Sequence, residues 1–206
     1  MKKIVSLSIV ILCLISSCNG QSREEQCKMH FKKAQKAFNS FYTEQNQKLL
    51  TEALTEVELS KGCPKIRLGF IELKISILSA KKDYQTGYKF IESLNKNDFT
   101  KPYKKVMQYN LFKALDYESK SDLKNKNLYL KKAVAEIDNY IKEQKIIEQE
   151  AFYDLFFVKS KLLKKDEINQ ELNVLKKEYP SNSDFFEILK ETFNEDIKQG
   201  NLQKAG

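Results

Sequence analysis

The chain has 206 residues, a formal charge of +8, and only six glycines and three prolines. Few turn formers beside abundant Lys, Glu, Leu, Ile, Phe and Tyr exclude a many-turned β fold and specify long helices. A single histidine excludes any two-histidine metal motif, and the isolated Gly62, Gly69 and Gly87 exclude a glycine-rich phosphate loop.

Lys2 and Lys3 lead into a mostly apolar run, Ile4 to Ile15, and Ser16 and Ser17 stand directly before Cys18. This is the charged, apolar, small-residue order of a secretory signal. At ~1.5 Å per residue the run reaches roughly 18 Å against a hydrocarbon core of about 30 Å, so a permanent transmembrane helix is the weaker reading. The end of the segment, Ile15-Ser16-Ser17-Cys18, resembles the lipobox of bacterial lipoproteins. That resemblance implies a diacylglycerol on the Cys18 thiol, cleavage that leaves Cys18 as the mature N-terminus, and palmitate-type lipidation. It places the protein in the cell envelope, the outer membrane favoured, facing periplasm or cell surface. The expected organisation is a signal peptide over 1–17, a lipidated cysteine and tether over 18–22, a helical domain over 23–199 and a tail over 200–206.

Loss of Lys2 and Lys3 with the leader lowers the formal charge by two, and what remains is uneven. Pro64 to Lys145 is basic, and Ile146 onward is mildly acidic. Nucleic acid is not the expected partner of an exported lipoprotein. Lysines spaced along helices are most often a solvated face, and anionic headgroups, glycans or an acidic protein are the functional alternatives.

Ser22 and Glu25 fit a capping box at a helix start, which leaves Asn19, Gly20 and Gln21 as tether. At ~3.5 Å per residue that tether reaches roughly 10 to 15 Å, so the body sits close to the bilayer. A first helix is expected over Arg23 to Tyr42, from Cys27, Phe31, Ala34, Phe38 and Phe41. A turn over Thr43 to Asn46 leads to a second helix carried by Leu50, Leu54 and Val57, which runs to Lys61 and is ended by Gly62. Pro64 opens a third, with Ile66, Phe70, Leu73 and Ile77 on one face and Ile71, Ile75 and Leu78 on another. Apolar residues on two faces predict burial on both.

From Lys82 a polar turn leads through Asp83-Tyr84 to the small Gly87 and on to Tyr88, Ile91 and Leu94. This resembles the inter-helix turn and second helix of a tetratricopeptide repeat, in which an aromatic packs the turn and a small residue lets the paired helices approach. Gly87 stands where Ala is usual, and the first-helix pattern is poorly kept around Ile71, Lys74, Ile75 and Leu78. The next helix spans Pro102 to Lys120, followed by a long polar break over Ser119 to Asn127. A helix from Leu128 carries Leu130, Val134, Ile137 and Ile141, with a boundary near Lys145 inferred from repeat length. Helices around Phe152 to Leu163 and Ile168 to Leu175 follow, Tyr179-Pro180 stops the chain, and Phe186, Leu189, Phe193 and Ile197 mark a last helix. The fold class read from this is all-α, a short α-solenoid of tetratricopeptide-like helix hairpins with a C-terminal capping helix. An irregular helical bundle is the alternative.

Cys27 and Cys63 stand equally far from the first turn, and an exported compartment is oxidising, so a disulfide is expected. Two buried free thiols are the alternative. Cys13 is apolar filling of the leader. No metal site is expected, because only His30 could join Cys27 and Cys63, and no cofactor motif is present. The acidic series Asp184, Glu187, Glu191 and Glu195 reads as a solvated helix face rather than acid–base chemistry. The segment from Lys101 to Asn110 interleaves cations and tyrosines. The tetratricopeptide resemblance implies that Lys65, Glu72, Lys104, Gln108 and Tyr109 face a concave groove, where lysines and a tyrosine could hold an acidic peptide or a sugar. The function expected is a non-catalytic, membrane-anchored scaffold that binds a protein or peptide. Alternatives are an immunity lipoprotein that caps a toxin, and a glycan-binding accessory of nutrient uptake. The glycan reading lacks the tryptophans such sites favour.

Overall fold

The structure, a computed structural model, describes residues 22–198, with side chains described as far as Glu195. The expectations for the leader, for Cys18, for the tail and for the Ile197 side chain lie outside the described residues. Nine α-helices and no strand occur among the described residues, and the fold class is all-α, built of consecutive helix hairpins of the solenoid kind. No described helix is long and apolar enough to cross a membrane. The chain forms two compact units that divide between residues 77 and 78.

Unit 1 contains α1 (Arg23–Glu44), α2 (Gln47–Leu59) and the start of α3 (Arg67–Ala80). The capping box is formed: Ser22 Oγ accepts from the Glu25 amide at 3.3 Å, and Glu25 Oε2 accepts from the Ser22 amide at 2.9 Å. Gln45 turns the chain in the left-handed region, and Asn46 caps α2 by accepting from the Lys48 amide. In this hairpin Ala34 and Ala37 of α1 and Leu50, Ala53 and Val57 of α2 are all buried, and the small side chains let the two backbones close up. At the open end Cys27 and Cys63 are disulfide-bonded, with Cα atoms 6.3 Å apart. Gly62, at φ +89°, makes the left-handed step that ends the hairpin. Pro64 opens a single 3₁₀ turn, Pro64–Ile66, rather than α3 itself. The Arg67 amide bonds back to the Pro64 carbonyl, and the α-helix starts only after that tighter turn. The two-faced burial expected of α3 is present at Phe70, Ile71, Ile75, Ile77 and Leu78.

Unit 2 contains α4 (Tyr84–Glu92), α5 (Lys104–Ser119), α6 (Leu123–Glu143), α7 (Gln149–Lys159), α8 (Lys165–Glu178) and α9 (Ser183–Lys198). The turns entering α4 and α6 are copies of one another. Lys82 and Ser121 are left-handed at φ 57° and 59°. The Asp83 and Asp122 amides then bond back to the Leu78 and Tyr117 carbonyls at 3.0 and 2.9 Å. Both aspartates cap the next helix, Asp83 Oδ1 accepting from the Thr86 amide and Asp122 Oδ1 from the Asn125 amide. The expected break over Ser119 to Asn127 is therefore much shorter, since α6 already begins at Leu123. Its first turns are solvated, with Leu123 60% and Leu128 47% exposed, and a solvated helical turn reads in sequence as polar loop. The boundary near Lys145 holds, α6 ending at Glu143.

One core runs through unit 2, from Met107 and Ala114 on α5 through Leu130 and Ile137 on α6 to Phe152 and Phe156 on α7. Ile168 and Leu172 of α8 and Phe186, Leu189 and Phe193 of α9 complete it, so α9 covers the apolar sides of α7 and α8 as a terminal cap. Gly87 on α4 makes the close approach that its position suggested, but toward α5. A Cβ there would overlap the ring of Phe112, itself 3% exposed. Gly87→Ala is expected to lower the melting temperature, because overpacking costs about 1–3 kcal/mol and outweighs the helix propensity gained. A thermal melt at or above wild type would show that the Phe112 ring has room to move.

Candidate functional site

Three helices of unit 2 bring four tyrosines and two lysines onto one face. Tyr109, Lys113 and Tyr117 recur at four-residue spacing on α5 and so share a side of the helix. Tyr88 of α4 meets Tyr109 edge to face at 6.1 Å between centroids. Lys113 Nζ lies 3.9 Å from the centre of the Tyr88 ring and 5.9 Å from that of Tyr109. Tyr129 of α6 stacks on Tyr117 at 5.4 Å with an interplanar angle of 17°, and Lys132 Nζ stands 4.7 Å from the Tyr129 ring. Burial, first, and then Glu92, Tyr129 and Tyr88 raise the Tyr109 hydroxyl above its ordinary pKa, with Lys113 acting the other way. All four rings are partly buried, which leaves edges and faces open to a partner.

Neither Lys113 nor Lys132 makes an ion pair among the described residues, and both rest on ring faces instead. Lys120, one turn past Tyr117, differs in that Asp116 Oδ2 holds it at 2.7 Å. Ammonium groups held over aromatic faces keep their charge available to an incoming anion, while the rings supply flat apolar area.

The expected site residues are distributed differently. Tyr109 belongs to this face. Lys104 is engaged with Glu150 and lies 3.6 Å from Asp154, so it ties α5 to α7. Tyr103, from the same cation–tyrosine stretch, is 1% exposed and donates to Asp154 Oδ2 at 2.7 Å. Burial, reinforced by Asp154, raises the Tyr103 hydroxyl far above its ordinary pKa, so it stays protonated as a donor. Burial also raises the Asp154 carboxyl, although Tyr103 and Lys104 pull it down. With Lys101 bonded to Glu148 at 2.8 Å, these groups form a polar clamp between α5 and α7. Gln108 keeps its Oε1 buried without a hydrogen-bond partner among the described residues. Lys65 and Glu72 belong to unit 1, Lys65 paired with Glu24 at 2.9 Å and Glu72 exposed. His30 Nδ1 shares a hydrogen with Glu56 Oε2 at 2.7 Å, half-buried across the α1–α2 hairpin.

Sequence reasoning missed Tyr88, Lys113, Tyr117, Tyr129 and Lys132. The four-residue spacing on α5 was a readable signal, but the contributions of α4 and α6 were not. A second surface feature lies between α6 and α8, where adjoining cavities of about 430 and 340 Å³ share Ile141, Phe152 and Tyr179. Ile146 and Val174, both well exposed, border it. Asp138 lines its inner part, its carboxyl raised by burial against the pull of Lys159 and Lys142. No group of three or more potential metal ligands occurs among the described residues. Comparison with protein families, with curated proteins and with solved structures returned no match for this chain.

Proposed function

We propose that this protein is a lipid-anchored, non-catalytic scaffold of the cell envelope, similar in kind to tetratricopeptide proteins, which binds an acidic segment of another protein on the tyrosine–lysine face of α4, α5 and α6. The anchor is the lipid on Cys18 that the Ile15-Ser16-Ser17-Cys18 segment implies. The observation that carries the binding reading is the placement of Lys113 and Lys132 on tyrosine rings without a carboxylate partner among the described residues. Carboxylates of a partner would find both cations free to pair, and its apolar side chains would cover Tyr109 and Tyr117. The helix hairpins beneath hold the rings in fixed positions, so little order has to be gained on binding.

The test is chemical crosslinking of the full-length protein in its native membranes, with mass spectrometry of the attached peptides. Crosslinks from Lys113 and Lys132 to an acidic segment of one protein are expected. The double substitution Tyr109→Ala and Lys113→Glu is expected to reduce that recovery at least tenfold while leaving the thermal melt within a few degrees. Undiminished recovery from the double variant would remove this face as the binding site, and recovery of no partner would remove the scaffold reading.

A further inference from the structure

We propose that the outer face of α1 lies against an anionic lipid surface, so that a stripe of lysines forms a second membrane attachment beside the lipid on Cys18. The inference rests on the anchor reading above and adds an orientation to it. On α1 the buried residues Cys27, Ala34, Ala37 and Phe41 mark the inward side. Lys28, Lys32 and Lys36 recur at four-residue spacing on another side, with Lys33 beside them, and all four are exposed. With Met29 and Glu25 they line a shallow recess of about 450 Å³.

An ordinary solvated helix mixes signs along its face. Here no acidic residue follows Glu25 until Glu44, at the end of α1. On α1 itself the carboxylates before Glu44 are Glu24 and Glu25 in the first turn, and Glu56 of α2 is taken up by His30. Glu24 is shared between Lys28 at 2.7 Å and Lys65 at 2.9 Å. Those two lysines, Lys28 foremost, hold its carboxyl down at about 2, so it stays charged and still leaves one of the pair uncompensated. Lys32, Lys33 and Lys36 make no ion pair among the described residues. The face is thus cationic along most of its length.

Distance selects the partner. The residues between Cys18 and Ser22 can span at most roughly 10 to 15 Å, which keeps the start of α1 near the lipid. With α1 upright, Lys36 would stand roughly 20 Å farther out, beyond a Debye length of about 8 Å at physiological salt. With α1 in the plane of the surface, all four ammonium groups fall inside that length. An anionic headgroup layer therefore favours the flat orientation, as in anchors that combine one lipid with a basic patch.

The lipidated full-length protein can be placed in vesicles of phosphatidylcholine alone or mixed with phosphatidylglycerol, and its lysines labelled with an amine reagent. Lys32, Lys33 and Lys36 are expected to react several-fold more slowly on the anionic vesicles, relative to exposed Lys131 of α6, and the protection is expected to vanish at high salt. Equal labelling on both vesicles would overturn the proposal, as would protection that follows a co-purified protein rather than phosphatidylglycerol. Intact mass reports the anchor separately: a lipidated protein with no protection sinks the stripe alone. Should Cys18 carry no lipid, the unlipidated full-length Cys18→Ser chain still tests the stripe by sedimentation with anionic vesicles. Co-sedimentation is expected, with loss in a variant that also carries Lys32→Gln, Lys33→Gln and Lys36→Gln, and no co-sedimentation at low salt would overturn the proposal.

Discussion

Replacing Cys27 and Cys63 with serine is expected to cost roughly 3–4 kcal/mol of stability, the loop-closure entropy that a bridge across this separation removes from the unfolded chain. For a small unit that corresponds to a fall of roughly 12–30 °C in melting temperature. That loss is a large share of what holds the hairpin together. Its contact surface is built from Ala34, Ala37 and Ala53 beside only a few larger residues, and alanines bury little apolar area. Both cysteines are themselves buried, at 5% and 6% exposure, so a reductant acting on the folded protein is expected to work slowly and to need transient opening. Thermal melts of the double serine variant, with hydrogen exchange of the α1 and α2 amides, provide the measurement. An unchanged melt, or two free thiols in non-reducing peptide maps, would refute the assignment.

Phe156→Ala is expected to cost about 3–5 kcal/mol in chemical denaturation. Phe156 is fully buried in α7 with Phe193 of α9 at 6.5 Å between ring centroids. Lys159 Nζ stands 5.4 Å from the ring and pairs with Glu171 of α8 at 2.6 Å. Truncation leaves a cavity that helices bound on several sides cannot collapse to fill. A loss below about 1 kcal/mol would mean that the core of unit 2 repacks around the gap. The contrast with Tyr109→Ala, which removes a partly exposed ring, separates residues that hold the fold from residues that would hold a partner.

Several elements were legible because their causes are local. The Ser22–Glu25 box and the Gly62 stop each depend on residues within one turn, and both are formed. The Cys27–Cys63 bridge was legible because a short turn fixes which ends of two helices meet. The polar break before α6 misled because solvated helix and loop share a composition. Gly87 was correctly read as a close-approach position, yet α5 fills that approach, which only the stacking order of hairpins could show.

By itself the sequence determined the helical class, some of the helix ends, the first hairpin and its staple, since these follow from hydrogen bonds and periodicities a few residues long. The tertiary structure alone decided which polar and aromatic groups share a face. Tyr103, which caps the start of α5, and Tyr109 within it come from one short stretch, but one is sealed beneath α7 and the other opens beside Tyr88, because packing on both flanks sets the rotation of α5 about its axis. That rotation is a property of side chains from three helices at once, and no stretch of chain short enough to read locally contains it.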